Sequence, residues 1–447
     1  TSKPYAFKAR PWELDKTETI DVLDAVGSNI RVDSRGNEVQ RVLPILNEEI
    51  NEEWINDKTR YGFEGLRYQR LDTPYVRKRG RLEPVSWDEA LKVANDILSQ
   101  TPSEKMAAVA GDLADCESIF VLKKLMDKLN VASYDCRQDG ALYNSDIKAS
   151  YRFNSTIEGI EEADCFLVIG ANPRYEASLV NTRIRKVVTE RPVSVGVIGD
   201  EVDLTYDYKY LGGETELLEQ IQSGNHDFAK DLERAENHMI IIGNTIYKRK
   251  DSEALIKKVL EIAEKFGATR DDWNGVNALQ KAAARVGGLE LGFVPQEGGF
   301  DIAAIQRGAR SGDIEVLYLL NADEMDTKAL EKPFVIYQGH HGDKGAEVAD
   351  LILPGAAYTE KNSTYVNLEG RMQHAFRATF PPGDAKEDWQ IIAKLLEHLG
   401  GSGFSSLEGL RSEMAEVSEV FAKRDHVFSY KWPKASDFEA KSELSKH

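Results

Sequence analysis

The sequence predicts an α/β protein with doubly wound parallel sheets and a small β-rich subdomain at its N-terminus. From about residue 104 onward, short apolar runs recur along the chain, and several of them end in glycine or asparagine. Stretches with apolar residues at helical spacing separate these runs. Such alternation is typical of parallel strands that helices cover on both faces. Ligands of these sheets bind beyond the carboxyl ends of the strands, where the polar turns lie.

The individual elements are predicted from local patterns. Near the N-terminus, alternation and turn residues predict strands at 18–24, 29–32 and 38–43, with a hairpin turn at 34–37. The acidic stretch 47–60 is predicted to be more helical than extended. Ser86 and Glu89 have the spacing of a capping box, so a helix is expected to begin there. Further strands are predicted at 106–110, 165–169, 193–198, 239–242, 316–320 and 334–337, and further helices at 116–129, 179–188, 252–266 and in the first part of 405–447. Residues 437–447 are predicted to be a mobile polar tail.

Composition restricts the class of protein. Of the 447 residues, 41% are hydrophobic and 30% are charged, as in ordinary soluble globular proteins. The apolar runs are far too short to cross a membrane, so no direct membrane insertion is expected. A formal net charge of −18 repels a phosphate backbone, and no nucleic-acid partner is expected.

Only three cysteines occur, at Cys116, Cys136 and Cys165. No pair has the Cys-x2-Cys spacing, which argues against a structural zinc site and a disulfide framework. Three reduced thiols, buried or half-buried, are expected instead. The chain opens on Thr1 without a leader-like segment, so we expect it to begin inside a longer polypeptide or to follow a cleavage.

Two local features could bind a ligand. His340 and His341 are adjacent, so on a strand they would point to opposite faces; they are poor joint metal ligands, and a turn with one buried histidine is expected. The turn 170–174, together with Arg183 and Arg185 on the next helix, could hold an anionic group. It could equally be a tight turn whose arginines pair with nearby acids, and the sequence leaves both interpretations open.

Three stretches resemble the molybdopterin oxidoreductase family. They are Arg70-Leu71-x-x-Pro74 with Ser86-Trp87-Asp88-Glu89-Ala90-Leu91; Ala163-Asp164 with Gly170-x-Asn172-Pro173 and Arg183-x-Arg185; and Ala349-Asp350-Leu351-Ile352-Leu353-Pro354 with Glu360-Lys361-Asn362-Ser363, Asn367-x-Glu369-Gly370-Arg371 and Gln373. The resemblance implies the sheets of that family, in two interleaved α/β lobes at 81–375. It also implies a degenerate iron–sulfur-type β-rich subdomain at 1–80 and a helical segment with a polar tail at 376–447.

The departures from the family pattern concern its cofactors. Catalytic members carry four cluster cysteines near the start, and the resemblance places those positions at Asp21, Asp24, Ser28 and Asn56. Oxygen and amide groups are hard ligands and cannot replace thiolates around iron and sulfur. The C-terminal barrel that closes over the pterin is also missing, and Cys136 is the only thiol at 134–139, where a molybdenum ligand would lie. The resemblance therefore implies vestigial cluster positions, with no catalytic residues, cofactor-binding residues or metal ligands in this chain.

Within the family, residues 1–14, 24–30 and 50–55 resemble the branch found in the largest peripheral-arm subunit of respiratory complex I, NADH:ubiquinone oxidoreductase. This implies a structural, cofactor-free segment that supports electron transfer from NADH to ubiquinone. One 2Fe-2S and two 4Fe-4S clusters are then expected in a ferredoxin-like region preceding the chain. That region and other peripheral-arm subunits would be its partners.

The same resemblance implies a place in the cell and leaves rival functions. The matrix side of the mitochondrial inner membrane is expected, with the cytoplasmic face of a bacterial plasma membrane as the alternative. The rival functions are an independent molybdopterin-dependent oxidoreductase and a guanine-nucleotide-binding module at the turns near Gly170 and Gly199-Asp200.

Overall fold

A computed structural model describes residues 3–440 of the chain. The strands are β1 Asp15–Ile20, β2 Asn29–Arg35, β3 Glu38–Pro44, β4 Tyr75–Lys78, β5 Arg81–Pro84, β6 Met106–Ala110, β7 Tyr134–Asp135, β8 Cys165–Ile169, β9 Ser194–Ile198, β10 Lys209–Gly212, β11 His238–Ile242, β12 Val276–Ala278, β13 Val316–Leu320, β14 Phe334–Gly339, β15 Leu351–Pro354, β16 Ser363–Val366 and β17 Met372–Ala375. The helices are α1 Asp57–Tyr61, α2 Trp87–Gln100, α3 Cys116–Lys128, α4 Pro173–Glu176, α5 Ser178–Glu190, α6 Glu216–Ser223, α7 Phe228–Arg234, α8 Asn244–Tyr247, α9 Ser252–Phe266, α10 Ala283–Glu290, α11 Ile302–Ser311, α12 Lys344–Val348, α13 Asp388–His398 and α14 Leu407–Val417.

Two parallel sheets form the body of the fold. The larger has the strand order β5-β4-β15-β14-β13-β6-β7, with β4 and β5 antiparallel at one edge. The smaller has the order β10-β9-β8-β11-β12 and is parallel throughout. The chain leaves the larger sheet after β7, builds the whole of the smaller sheet, and returns to the larger sheet at β13. The predicted α/β architecture with doubly wound sheets is confirmed.

The central strands form because their sequences are apolar at every position. All five residues of β6, β8, β11 and β13 are buried, as expected of strands covered by helices on both faces. Side chains mark where helices begin: the Ser86 hydroxyl accepts a hydrogen bond from the N–H of Glu89, and Asp115 accepts one from Ser118. The predicted start of α2 at Ser86 is confirmed, whereas the Glu89 carboxyl, expected to complete a capping box, accepts instead from Lys78 Nζ across 2.8 Å.

The N-terminal region is β-rich, as predicted, and forms an antiparallel sheet β1-β2-β3. The prediction of a helix across 47–60 was wrong for most of its length, because only α1 is helical there. The Asn51 amide donates to the carbonyl oxygens of Ile45, Glu52 and Trp54 and thereby stabilises a series of turns. Trp54, which lies in these turns, is 53% exposed.

Residues after β17 return to the larger sheet. Helix α13 packs against α3, and α14 and the irregular stretch beyond it cover the same core. The predicted helical content of 405–447 is confirmed for α14. Of the predicted mobile tail, 437–440 are irregular and 441–447 lie outside the described residues. No helix within the described range 3–440 is long and apolar enough to cross a membrane.

Candidate functional site

The loop between β1 and β2 brings together the four residues that were predicted as vestigial cluster positions. Asp21, Asp24 and Ser28 lie on this loop and are at most 3% exposed, and Asn56 immediately precedes α1. The Asp21 N–H donates to the Ser28 carbonyl oxygen across 2.8 Å and closes the loop. We call these four residues the substituted cluster site.

A hydrogen-bond network joins the loop to α1. The Asn56 Nδ2 donates to Asp24 Oδ2 across 2.7 Å, while Asn56 Oδ1 accepts from the N–H of Thr59 and caps the helix. The Thr59 hydroxyl donates to Asp21 Oδ2, also across 2.7 Å. Ser28 Oγ is buried and has no hydrogen-bond partner. Three of the four positions therefore belong to one polar network, and Ser28 lies beside it.

Burial dominates the electrostatics of this network. Burial, together with the neighbouring Asp24 charge, raises the pKa of Asp21 from an ordinary 3.8 to about 7. Burial also raises the pKa of Asp24, against the backbone N–H of Val26 and the charge of Lys58. The charge of Asp24 therefore disfavours the ionised form of Asp21.

These residues do not fit an iron–sulfur cluster. Such clusters are held by thiolates, and the site offers two carboxyls, one hydroxyl and one amide. The three cysteines are far from it in sequence and fully buried, and burial raises the pKa of Cys136 and of Cys165 to about 12. Nor does any group of three or more His, Cys, Asp or Glu residues that could hold a metal ion occur in the part of the chain that the structure describes.

Two residues of the third family-like stretch, Asn367 and Gln373, hold the same loop against the core. Asn367 Nδ2 donates to the Val26 carbonyl oxygen, and Gln373 Nε2 donates to that of Gly27. Gly27 has φ +71°, and a Cβ at this position would lie 2.2 Å from Gln373 Oε1. The turn therefore requires glycine both for its backbone conformation and for the close approach of Gln373.

The region of Cys136 does not fit a pterin-bound metal. Cys136 is 1% exposed, and α10 packs against it so closely that a Cβ on Gly288 would lie 2.8 Å from its Cβ. Beside it, the buried Arg285 guanidinium donates to Asp139 Oδ1 across 2.8 Å and lowers the pKa of that carboxyl despite burial. Protein atoms therefore occupy the surroundings of the only thiol that was considered as a metal ligand.

A second buried charge cluster lies where α3, α13 and the family-like stretch 349–373 meet. Lys361 Nζ is 2.6 Å from Asp115 Oδ2 and 2.7 Å from Asp388 Oδ2, and all three side chains are at most 4% exposed. Arg70 is similarly held by both oxygens of Glu360 at 2.6 Å. These signature residues form ion pairs with the protein itself.

The arginines near the turn 170–174 also pair with the protein. Arg183 donates to Glu161 Oε1 and to the carbonyl oxygen of Glu48, and Arg174 pairs with Asp203. Arg185 is exposed. The interpretation in which Arg183 holds an anion is therefore wrong, because its guanidinium is already bound.

The two adjacent histidines have separate partners. His340 Nδ1 lies 3.2 Å from Asn321 Oδ1, and His341 Nε2 lies 2.9 Å from the Gly65 carbonyl oxygen. Burial lowers the pKa of His340 well below its usual range. Both side chains are half-buried, so the structure does not single out one fully buried histidine at this turn.

Sequence reasoning missed Thr59, which connects Asp21 to Asn56. Its position three residues after the capping Asn56 was the available signal, since that spacing directs its backbone N–H to the cap.

Comparisons with known proteins identify two family models that match the chain. Residues 70–398 match the model of the molybdopterin oxidoreductase family, and residues 14–64 match that of the NADH-ubiquinone oxidoreductase NDSU1/NuoG-like 4Fe-4S domain. A solved structure with a similar fold is acetylene hydratase from Pelobacter acetylenicus, with a TM-score of 0.63 at 12% identity, covering 86% of this chain and 69% of that one. At that identity the likeness concerns the fold alone.

Sequence relatives are more similar. An NADH-quinone oxidoreductase subunit of Rickettsia bellii is 45% identical over 446 residues, which are 100% of this chain and 63% of the relative. The mitochondrial NADH-ubiquinone oxidoreductase 78 kDa subunit of Candida albicans is 46% identical over 435 residues, 96% of this chain and 58% of the relative. The chain thus spans less than two thirds of the length of these relatives.

Proposed function

Because this chain belongs to the molybdopterin oxidoreductase family and is homologous along its length to a bacterial NADH-quinone oxidoreductase subunit, we propose that it is a structural segment of respiratory complex I. In this role it supports electron transfer from NADH to quinone without a redox centre of its own. The observation that carries the proposal is the substituted cluster site. It lies within a region that matches a 4Fe-4S domain, yet hydrogen bonds of Asp24, Asn56 and Thr59 join its parts.

The support is mechanical. The loop that would have held a cluster is joined to α1 on one side and clamped by Asn367 and Gln373 on the other. Buried hydrogen bonds and tight packing of this kind give a rigid body, because each group has one set of partners. We propose that this rigid body presents fixed surfaces to its neighbours in the peripheral arm.

Under this proposal the redox centres lie in a part of the full subunit outside this chain. We propose that one 2Fe-2S and two 4Fe-4S clusters lie in a ferredoxin-like region of the full subunit, and that this region and other peripheral-arm subunits are the partners. The proposed location is the matrix side of the mitochondrial inner membrane, or the cytoplasmic face of the membrane in a bacterium. The proposed division of the chain remains 1–80, 81–375 and 376–447.

Metal analysis of the purified chain tests this proposal. We expect iron, acid-labile sulfide and molybdenum each far below one atom per chain after expression with cluster-assembly and pterin-cofactor machinery. One molybdenum atom per chain would instead establish an independent molybdopterin-dependent oxidoreductase. Iron and sulfide at stoichiometric levels would show that the chain binds a cluster and would refute its cofactor-free role.

Assembly tests the structural role separately. The intact complex is isolated from cells that carry Asn56→Ala or the exposed control Asn225→Ala in the full subunit. We expect Asn56→Ala to lower the amount of assembled complex, while each assembled particle keeps its NADH oxidation rate. A lower rate per particle at normal assembly would contradict a purely structural role.

A further inference from the structure

Two phenylalanine rings are displayed to solvent on the segment that follows β17. Phe376 is 41% exposed and Phe380 is 62% exposed. Each ring has an exposed arginine over it: the Cζ of Arg377 lies 4.4 Å from the centre of the Phe380 ring, and that of Arg424 lies 5.8 Å from the centre of the Phe376 ring. The two rings are four residues apart, so their Cα atoms are separated by at most about 14 Å. We call these four residues the Phe–Arg face.

Hydrogen bonds fix the backbone between the two rings. The N–H of Phe376 donates to Thr19 Oγ1 across 2.9 Å, and the N–H of Arg377 donates to Asn362 Oδ1 across 3.1 Å. The next two N–H groups both donate to the Thr359 carbonyl oxygen. The segment therefore has little freedom although its side chains are exposed.

The N-terminal subdomain holds the far end of the segment. Asn37, in the turn between β2 and β3, accepts a hydrogen bond from the Phe380 N–H and donates one to the Phe380 carbonyl oxygen across 2.9 Å. A surface whose backbone is already fixed loses little conformational entropy when a partner binds. The Phe–Arg face is thus preorganised for binding.

The charge of this face is opposite to that of the chain as a whole. Arg424 pairs with Asp425 across 3.0 Å, whereas Arg377 forms no ion pair within the described residues 3–440. Glu387 interacts with the Arg377 charge only at longer range. Lys423 adds a further exposed cation. In a chain of formal net charge −18, the face therefore offers a local positive charge to carboxylates.

A cavity of about 380 Å³ adjoins the face. Its lining includes the apolar side chains of Leu66, Phe380 and Pro382. The charged residues of the lining pair with one another, Arg67 with Glu38 and Arg70 with Glu360. The cavity can therefore accept an uncharged side chain beside the Phe380 ring.

We propose that the Phe–Arg face is a docking surface for an acidic segment of a partner protein. Carboxylates of that segment pair with Arg377 and Arg424, and an apolar side chain of it enters the adjoining cavity. Arginine binds a carboxylate through two parallel N–H groups, and arginine and aromatic residues are enriched at the centres of protein interfaces.

A protein is favoured over a nucleic acid or an anionic membrane, because a net charge of −18 repels surfaces rich in phosphate. The inference goes beyond the proposed function, since it identifies one particular surface and the chemistry of what binds there.

Photocrosslinking in the full subunit tests the proposal. The photoreactive residue p-benzoylphenylalanine replaces Phe380 in cells, and mass spectrometry identifies the peptide that is crosslinked on irradiation. We expect one predominant crosslink, to a protein segment rich in Asp and Glu. Arg377→Glu/Arg424→Glu should lower its yield at least about fivefold, since both attractions become repulsions.

The matched control is Arg174→Glu. Its guanidinium also lies near an exposed aromatic ring, that of Tyr175, but is paired with Asp203, and the change should leave the yield as it is. Urea unfolding of the isolated chain should be the same for the double variant and wild type, because both arginines are exposed. The crosslink needs no charge variant and decides the proposal even if the double variant does not fold.

The proposal is overturned if position 380 gives no crosslink, if the crosslinked segment lacks acidic residues, or if a folded double variant keeps the wild-type yield. It is also overturned if the chain sediments with vesicles of phosphatidylcholine and cardiolipin and Arg377→Glu/Arg424→Glu abolishes this. A crosslink to an acidic segment of a protein outside respiratory complex I would support the docking surface and contradict the proposed function, so the two can fail separately.

Discussion

The amide of Asn56 donates to the carboxyl of Asp24 across 2.7 Å at two positions that resemblance assigns to cluster cysteines. The hydrogen bond joins the β1–β2 loop to the start of α1, the two segments that a cluster would hold together through its metal. Asn56 also caps α1, so one side chain serves both the helix and the link. The loop thus keeps its anchored conformation by polar contacts alone.

Loss of this side chain is therefore expected to destabilise the chain. Asn56→Ala removes the cap and leaves Asp24 Oδ2 buried without its donor. A lost cap costs about 1 kcal/mol and an unpaired buried acceptor about 1–3 kcal/mol, so a decrease of about 2–4 kcal/mol in the free energy of unfolding is expected. Urea denaturation at pH 8 measures it. Asn225→Ala, an exposed change, should stay within about 0.5 kcal/mol of wild type.

The raised pKa of Asp21 predicts a pH dependence of stability. Since the folded state binds this proton up to about pH 7 and the unfolded state releases it near 3.8, stability is expected to fall as the pH rises between these values. Above pH 7 the contribution is constant. A shift of this size corresponds to at most about 4 kcal/mol.

Asp21→Asn tests that dependence, because an amide does not titrate. The difference in unfolding free energy between pH 5 and pH 8 should shrink in this variant, and the variant should be the more stable protein at pH 8. Asp272→Asn, a change at a side chain that is 79% exposed, should leave the difference as it is in wild type. An unchanged pH difference in Asp21→Asn would show that this carboxyl does not hold its proton in the folded state.

The sequence predicted most of the central architecture because its signals are local and strong. The strands at 106–110 and 165–169 are apolar at every position and were predicted with their observed bounds. The turns at 47–55 were missed because the side chain of Asn51 holds three carbonyl oxygens that a helix would otherwise use, and no periodic pattern encodes this.

The site was predictable in part. Resemblance placed Asp21, Asp24, Ser28 and Asn56 in one group, and three of them share a network. The partners of Arg183 were not predictable, since Glu48 and Glu161 are distant in sequence and only the tertiary fold brings them to it.

The buried cluster around Lys361 predicts a large loss of stability on substitution. Its charge lowers the pKa of Asp115 although burial opposes this, which shows that the lysine compensates a buried carboxylate. Lys361→Met leaves Asp115 and Asp388 without a counter-charge, and a loss of about 3–5 kcal/mol is expected at pH 8. The loss should be smaller at pH 5, where the carboxyls can take up protons. Lys92→Met, at an exposed pair with Asp96, should lose less than about 1 kcal/mol.

The substituted cluster site also predicts what cysteines would do there. Asp21, Asp24 and Asn56 already belong to one hydrogen-bond network, and the backbone N–H of Asp21 donates to the Ser28 carbonyl oxygen. Thiols at all four positions are therefore expected to lie close together. The quadruple variant Asp21→Cys/Asp24→Cys/Ser28→Cys/Asn56→Cys is expected to take up about four iron atoms on anaerobic reconstitution, because four thiolates are the ligand set of a 4Fe-4S cluster. Iron and sulfide analysis with electron paramagnetic resonance of the reduced protein measures this. The matched control keeps Asp24 and carries the other three cysteines, and it should bind a cluster less stably. If the quadruple variant folds, as judged by circular dichroism, and yet binds no cluster, the four positions are not the remnant of a cluster site, and the network has another origin.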